Sequence, residues 1–469
     1  STLVVGNAAT SGALGTGAIS NNGVLSFKRS DAISVADIIS GTGIVKQEGS
    51  GTLTLSATNT YEGGTQVNAG TLAISTDRNV GAVPASVDPD NITLNGGTLR
   101  FTTGFTTLHA NRGLQLGAGN GTLNTDAAVS VDYAGVISGA GALTKAGVGT
   151  FTLNAAQTYT GTTTVSAGTL VVGDGSNTTA ALSTNAISVA SGSTLKFNHS
   201  ADVTLVSDVL GAGDVVKLDA HTLTLTGLAS YTGSTATGAG GGWVFTNDVA
   251  PTTSGFTGSG FVTIQPASAS FSAAVNSNYA FATTLSALTL GKAGNTANVT
   301  LNTVTDVAGP ITVYATQATF NQAVHSGAAL VVNGQTRLNG STVTTTGAQL
   351  YNGAVTLGAN TTLTTAGVAD VTFVSTLNGG YDLTVNSAGA TVFGGAVGGL
   401  APLTSITTDA AGRVAIEGGS VITTGAQTYN ERVSLGMDTT LQGVNLALLS
   451  TVNGAYSLTL NDSGTTVLG

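Results

Sequence analysis

Residues able to do chemistry are few in this chain, and their spacing limits what they can do. Four histidines, His109, His199, His221 and His325, stand far apart with no His-x-x-x-His pair and no cysteine partner, so no metal-ligand spacing is present. Asp88-Pro89-Asp90-Asn91 gathers oxygen ligands in what reads as a loop and could hold Ca²⁺; the competing reading is a solvated acidic turn. No Gly-x-Ser-x-Gly elbow exists to anchor a hydrolase triad. Gly117-Ala118-Gly119 and Gly139-Ala140-Gly141 are read as corners, because neither completes a Gly-x-Gly-x-x-Gly opening a helix. Tyr61, Tyr159 and Tyr231 share one place in a repeat, and Tyr351 and Tyr429 another. Such aromatics could line a sugar site or cap a core at strand ends. Asn91-Ile92-Thr93 and Asn177-Thr178-Thr179 match the N-glycosylation acceptor pattern, which chance supplies readily in a chain so rich in Asn, Thr and Ser. The sequence therefore assigns no catalytic, cofactor-binding or metal residue, expects no cofactor, and predicts no enzyme.

The elements that must position these residues follow from composition. Of 469 residues 67 are Gly and 6 Pro, 8% are charged, 5% aromatic and 41% hydrophobic, and apolar residues alternate with Thr, Ser and Asn. That pattern is all-β, and the hydrophobic fraction is enough for a packed core. A formal charge of −10 with 13 scattered cations excludes nucleic acid as a partner, since phosphate binding needs clustered Lys and Arg. No apolar run reaches the roughly 20 residues of a membrane-spanning helix. The chain opens and closes in mid-pattern at Ser1 and Gly469, so a segment of a longer protein is expected. Zero cysteine suits a chain that must cross an outer membrane unfolded.

Repeats organise everything else. The stretch 44–75, IVKQEGSGTLTLSATNTYEGGTQVNAGTLAIS, returns from Ala142 as ALTKAGVGTFTLNAAQTYTGTTTVSAGTLVVG, aligning Lys46 with Lys145, Tyr61 with Tyr159 and Leu72 with Leu170; a weaker copy follows from Gly211. Past residue 280 a second pattern appears: Gly347-Ala348-Gln349-Leu350-Tyr351-Asn352 returns as Gly425-Ala426-Gln427-Thr428-Tyr429-Asn430, a shift of 78. Units this short cannot bury their own apolar face, so they must stack as a solenoid. With three short strands per coil, one coil takes roughly 20 residues, a 78-residue repeat about four coils, and the chain roughly 23 coils over about 110 Å. The expected division is 1–240 with the first repeat type, 241–330 as an irregular transition around Gly238–Gly242 and Trp243, and 331–469 with the second, all on one continuous solenoid.

The strings at 44–75 and 143–173 closely resemble the autotransporter-associated β-strand repeat of bacterial passenger regions. ITTGAQTYN (422–430) and GGAVGGLAPLTSITTDAAG (394–412) resemble repeats of haemagglutinin-like exoproteins. The resemblance implies a right-handed parallel β-helix, secreted by a type V route and displayed on the outer surface of a Gram-negative bacterium as an adhesive or structural stalk. Implied partners are cell-surface or matrix components, glycan or protein, and a second copy of itself; the secretion barrel is expected outside this segment. The alternatives are an architectural sheath or filament subunit without receptor, and a β-helical carbohydrate-active enzyme. Asn124-Thr125-Asp126 resembles one polygalacturonase motif, but that family's Asp-Asp, His-Gly and Arg-x-Lys have no counterpart here.

Overall fold

A computed structural model describes residues 1–183 and 186–469. It divides into two compact units, Ser1–Gly238 and Ala239–Gly469. Each is a parallel β-solenoid built from strands of two to ten residues. The one described departure from strand and turn is a single 3₁₀ turn at Asp77–Val80.

In the first unit the alternation Thr-Leu-Thr-Leu sends leucines inward and threonines outward. Leu53 pairs with Leu72, 19 residues on, and Leu72 with Leu99, 27 on; Leu99, Leu123, Lys145, Val165 and Val189 continue the same ladder. Its apolar members are buried. Three sheets carry these coils. One holds Ile44–Gln47 and Thr65–Val67, a second Thr52–Leu55 and Leu143–Ala146, and a third Thr150–Leu153, Thr194–Phe197 and Asp214–Lys217. Apolar ladders on each face give every coil a neighbour above and below, which is how so short a unit acquires a core.

The second unit uses the same device with more aromatic filling. Gly242–Thr246 pairs in parallel with Phe261–Gln265, and Trp243 is fully buried with its ring stacked on Phe245 at 5.5 Å. Phe256 packs against Phe245, Tyr279 and Phe281 at 5.2–5.9 Å. Farther on, Tyr351, Phe373 and Phe393 stack in register at 5.3 and 5.7 Å. The long strands Ile311–Phe320 and Leu330–Leu338 turn a corner without breaking, through a register shift between Tyr314 and Gln317.

The repeats do not coincide with whole coils, contrary to the four-coil expectation. The ladder Val343–Leu363–Val385–Thr408–Tyr429 takes 86 residues for four steps (429 − 343), so a shift of 78 falls short. Gln349–Tyr351 and its copy Gln427–Tyr429 accordingly lie in different sheets. In the first unit four steps from Leu53 to Lys145 take 92 residues (145 − 53), whereas the copies are 98 apart by Tyr61 and Tyr159. That copy overshoots and begins on another face.

Candidate functional site

The structure does not bring the histidines together. His109 is exposed and its ring accepts from the Asn111 amide. His199 is buried against Phe197, with Nε2 2.9 Å from the Ala180 carbonyl. His221 stands 3.6 Å from Asp219, and His325 pairs with Asp306 at 2.5 Å on the surface. No group of three or more His, Cys, Asp or Glu able to hold a metal ion exists among the described residues.

Asp88-Pro89-Asp90-Asn91 is not a loop but the start of the strand Asp88–Leu94, irregular between Asp88 and Ile92. Asn91 is buried, donating to Asp88 Oδ2 (3.0 Å) and accepting from Arg112 Nη1 (2.9 Å), so its oxygens serve the fold. Its burial also closes it to glycosylation in the folded state. Asn177 is engaged through both ends of its amide, with Asn154 and Ala180. Of the hydrolase-like trio, Asp126 forms a two-pronged surface ion pair with Arg100 (2.8 and 2.9 Å), while Thr125 turns into the core. Gly139 is a corner residue as expected, at φ +103°, where a Cβ would meet the Leu116 carbonyl oxygen at 2.2 Å.

The five repeat tyrosines are all inside. Tyr61, Tyr159 and Tyr231 each share a hydrogen bond with the threonine four residues on, Thr65, Thr163 and Thr235, at 2.7, 2.5 and 2.7 Å. Tyr351 and Tyr429 donate to Gln349 and Gln427, at 3.1 and 2.9 Å. Burial raises the pKa values of Tyr61, Tyr351 and Tyr429, and that of Tyr159 to about 12. They cap the core; a sugar cannot reach them.

Three buried polar residues escape a reading based on alternation. The first is one position of the repeat. Sequence offset aligned Lys46 with Lys145, but the structure equates Lys145 with Gln47: Gln47 donates to the carbonyls of Gly49 (2.8 Å) and Gly51 (3.0 Å), while Lys145 Nζ donates to those of Ala146 (2.9 Å), Gly147 (2.8 Å) and Ala167 (3.1 Å). Lys217 does the same in the third copy, reaching the Asp219 carbonyl (2.5 Å) and carboxylate (2.8 Å). Each plugs the carbonyl-lined corner that follows its strand. The signal was available: two residues past Gln47 and Lys145 comes Gly-x-Gly. Burial drives the Lys145 ammonium down to about 8. Burial would raise the Asp219 carboxyl, but the Lys217 bond and the backbone N–H groups of His199 and His221 hold it below its usual range.

The second is Arg112, which is fully buried and ties the Asp77–Val80 turn to the strand Arg112–Leu116. It bonds Asp77 (2.9 Å), Val80 O (3.2 Å), Asn91 (2.9 Å) and Gly81 O (2.7 Å). The third is Glu431, 2% exposed, whose carboxyl is pushed up to about 8 by burial and by Asp409.

What the solenoid offers to the outside is a set of hydroxyl ladders. Thr52, Thr71, Thr98, Thr122, Thr144 and Thr164 occupy one outward-facing register line on six consecutive coils of the first unit. Thr342, Thr362, Thr384, Thr407 and Thr428 do so in the second. Adjacent strands of a sheet are about 4.8 Å apart, so each ladder is a straight, uncharged row of methyl and hydroxyl groups at that period.

The passenger-associated-transport-repeat family matches residues 46–74, 143–172 and 215–240, the three copies described above. Over 128 residues the chain is 41% identical to the adhesin BmaC autotransporter of Brucella suis biovar 1 (strain 1330); the match covers 26% of this chain and 4% of that protein's length. No solved structure matches the chain. Three stretches of this β-solenoid are thus similar to repeats of secreted passenger regions.

Proposed function

We propose that this chain is a structural and adhesive segment of a secreted bacterial surface protein, a β-helical stalk attaching cells to other cells, to surfaces or to matrix, with no catalytic role. The observation that carries the reading is the outward threonine ladder running from Thr52 to Thr164. Its rows are held rigid by the stacked core, so little side-chain entropy is lost when a flat partner docks. Each hydroxyl supplies about 0.5–1.5 kcal/mol net when it bonds, and the energy sums along the row. A glycan or protein face of cell surface or matrix can use such a row, and so can the same row of a second copy. The similarity to an adhesin supports the same direction.

The test is binding of the purified chain to bacterial cells, host cells and immobilised glycans, beside a variant with Thr71→Lys and Thr122→Lys, two rungs apart on the ladder. These positions face outward, so the variant keeps its thermal stability, and binding or cell aggregation is expected to fall at least tenfold. Equal binding by the variant would refute the ladder as the adhesive face. Absence of any binding together with end-to-end assembly would favour an architectural sheath.

A further inference from the structure

Thr408, Asp409 and Glu431 concentrate an imbalance unlike any other in the second unit. Thr408 pairs with Tyr429 on the next coil, so Glu431, two residues beyond Tyr429, again turns inward at the strand end. Four buried oxygens at this strand end make no hydrogen bond: Thr408 Oγ1, Asp409 Oδ1 and both oxygens of Glu431. The Thr408 hydroxyl lies close enough to favour the charged carboxyl but not in bonding geometry. The charge of Asp409 also reaches Glu431, and that of the exposed Arg432 acts on it without a bond. The amide donors alongside are spent: Asn430 Nδ2 binds the Thr408 carbonyl at 2.5 Å and the Asp409 amide the Val385 carbonyl at 3.1 Å.

An ionised carboxylate buried without a donor costs several kcal/mol, so it must find a proton or a cation. The ligand chemistry selects the cation. All four atoms are hard oxygens, two carboxylates supply a charge of −2, and no sulfur or imidazole is present to favour zinc. Asp409 is only half-buried, which leaves an entry path from solvent. Calcium accepts six to eight oxygens in flexible geometry and takes a carboxylate through both oxygens, whereas magnesium demands a near-ideal octahedron. We propose that Thr408, Asp409 and Glu431 form a calcium-type divalent-cation site that joins two successive coils of the second unit.

The experiment is isothermal titration of the whole chain with CaCl₂ after chelator treatment, together with Tb³⁺ luminescence sensitised by Tyr429, whose strand is paired to that of Thr408. Expected is saturable binding with a rise in thermal midpoint. Glu431→Gln and Asp409→Asn should each weaken the affinity at least tenfold while leaving calcium-free stability equal or higher, because an unpaired buried charge has been removed. MgCl₂ should compete poorly. Wild type without calcium binding, or binding of unchanged affinity in both variants, would overturn the site and leave Glu431 holding a proton instead.

Discussion

Replacing Lys145 separates two accounts of why a lysine sits in a leucine ladder. If its purpose is to fill volume, Lys145→Met should be harmless. If it serves the carbonyls of Ala146, Gly147 and Ala167, methionine leaves three acceptors bare and glutamine, the first copy's own choice at Gln47, restores two. An unsatisfied buried carbonyl costs about 1–3 kcal/mol, partly offset here by no longer burying an ammonium. The net expectation is roughly 2–3 kcal/mol for Met and below about 1 kcal/mol for Gln. Long repeat arrays need not unfold in one step, so the readout is local: hydrogen exchange at the amides of Gly149, Ser166 and Thr169, which bond across this corner. At 1.36 kcal/mol per factor of ten, Met should speed their exchange roughly 30- to 160-fold and Gln less than about fivefold. The pH dependence adds an independent check. Burial lowers Lys145 to about 8, so between that value and its ordinary pKa of about 10.4 the unfolded chain binds the proton that the folded chain has released. Stability from this group therefore rises with pH through that window. That window corresponds to at most about 3 kcal/mol, reduced by the carbonyl bonds, which favour the ammonium, and Lys145→Gln should abolish it. Equal exchange in the Met and Gln variants would refute the reasoning.

Arg112→Met should cost about 3–5 kcal/mol by stranding Asp77, Asn91 and two carbonyls, and should expose residues 82–87 to proteolysis well before the rest of the first unit; limited digestion followed by mass spectrometry reads this, and nicking at the wild-type rate would refute the clamp. Gly139→Ala forces a Cβ to 2.2 Å from the Leu116 carbonyl at a φ of +103°. It should lower stability by at least about 2 kcal/mol, measured by denaturant titration, whereas Gly104→Ala, where a Cβ meets nothing within 4 Å, should cost only the strain of its φ of +92°.

The solenoid was legible because its cause is local. Thr52-Leu53-Thr54-Leu55 can only be a half-buried strand, and its recurrence can only be satisfied by stacking. Tyr61 and Tyr159 were legible as core caps but not as members of different coils' corners, because periodicity along the chain does not report rotation around the axis. The carbonyl plugs were missed for a different reason: a lysine reads as solvent-facing until the corner it closes is known, and the one-residue misalignment of Lys46 with Lys145 hid its kinship with Gln47. Arg112 depended on a turn at Asp77 that lies 35 residues earlier. Asp409 and Glu431, 22 residues apart, become neighbours only through the coil length.

That length also governs how the surface is composed. Copies displaced from a whole number of coils place the same motif on successive faces: Gln47, Lys145 and Lys217 plug corners in three different sheets. The plug residues of the repeat, Gln47, Lys145 and Lys217, are thereby spread around the axis and do not stack into one row. What does persist along a face is the simple alternation common to nearly every strand, and its outward member is most often threonine. A hydroxyl row survives this rotation because it belongs to no single motif position, which is why the longest continuous features of the surface are uncharged.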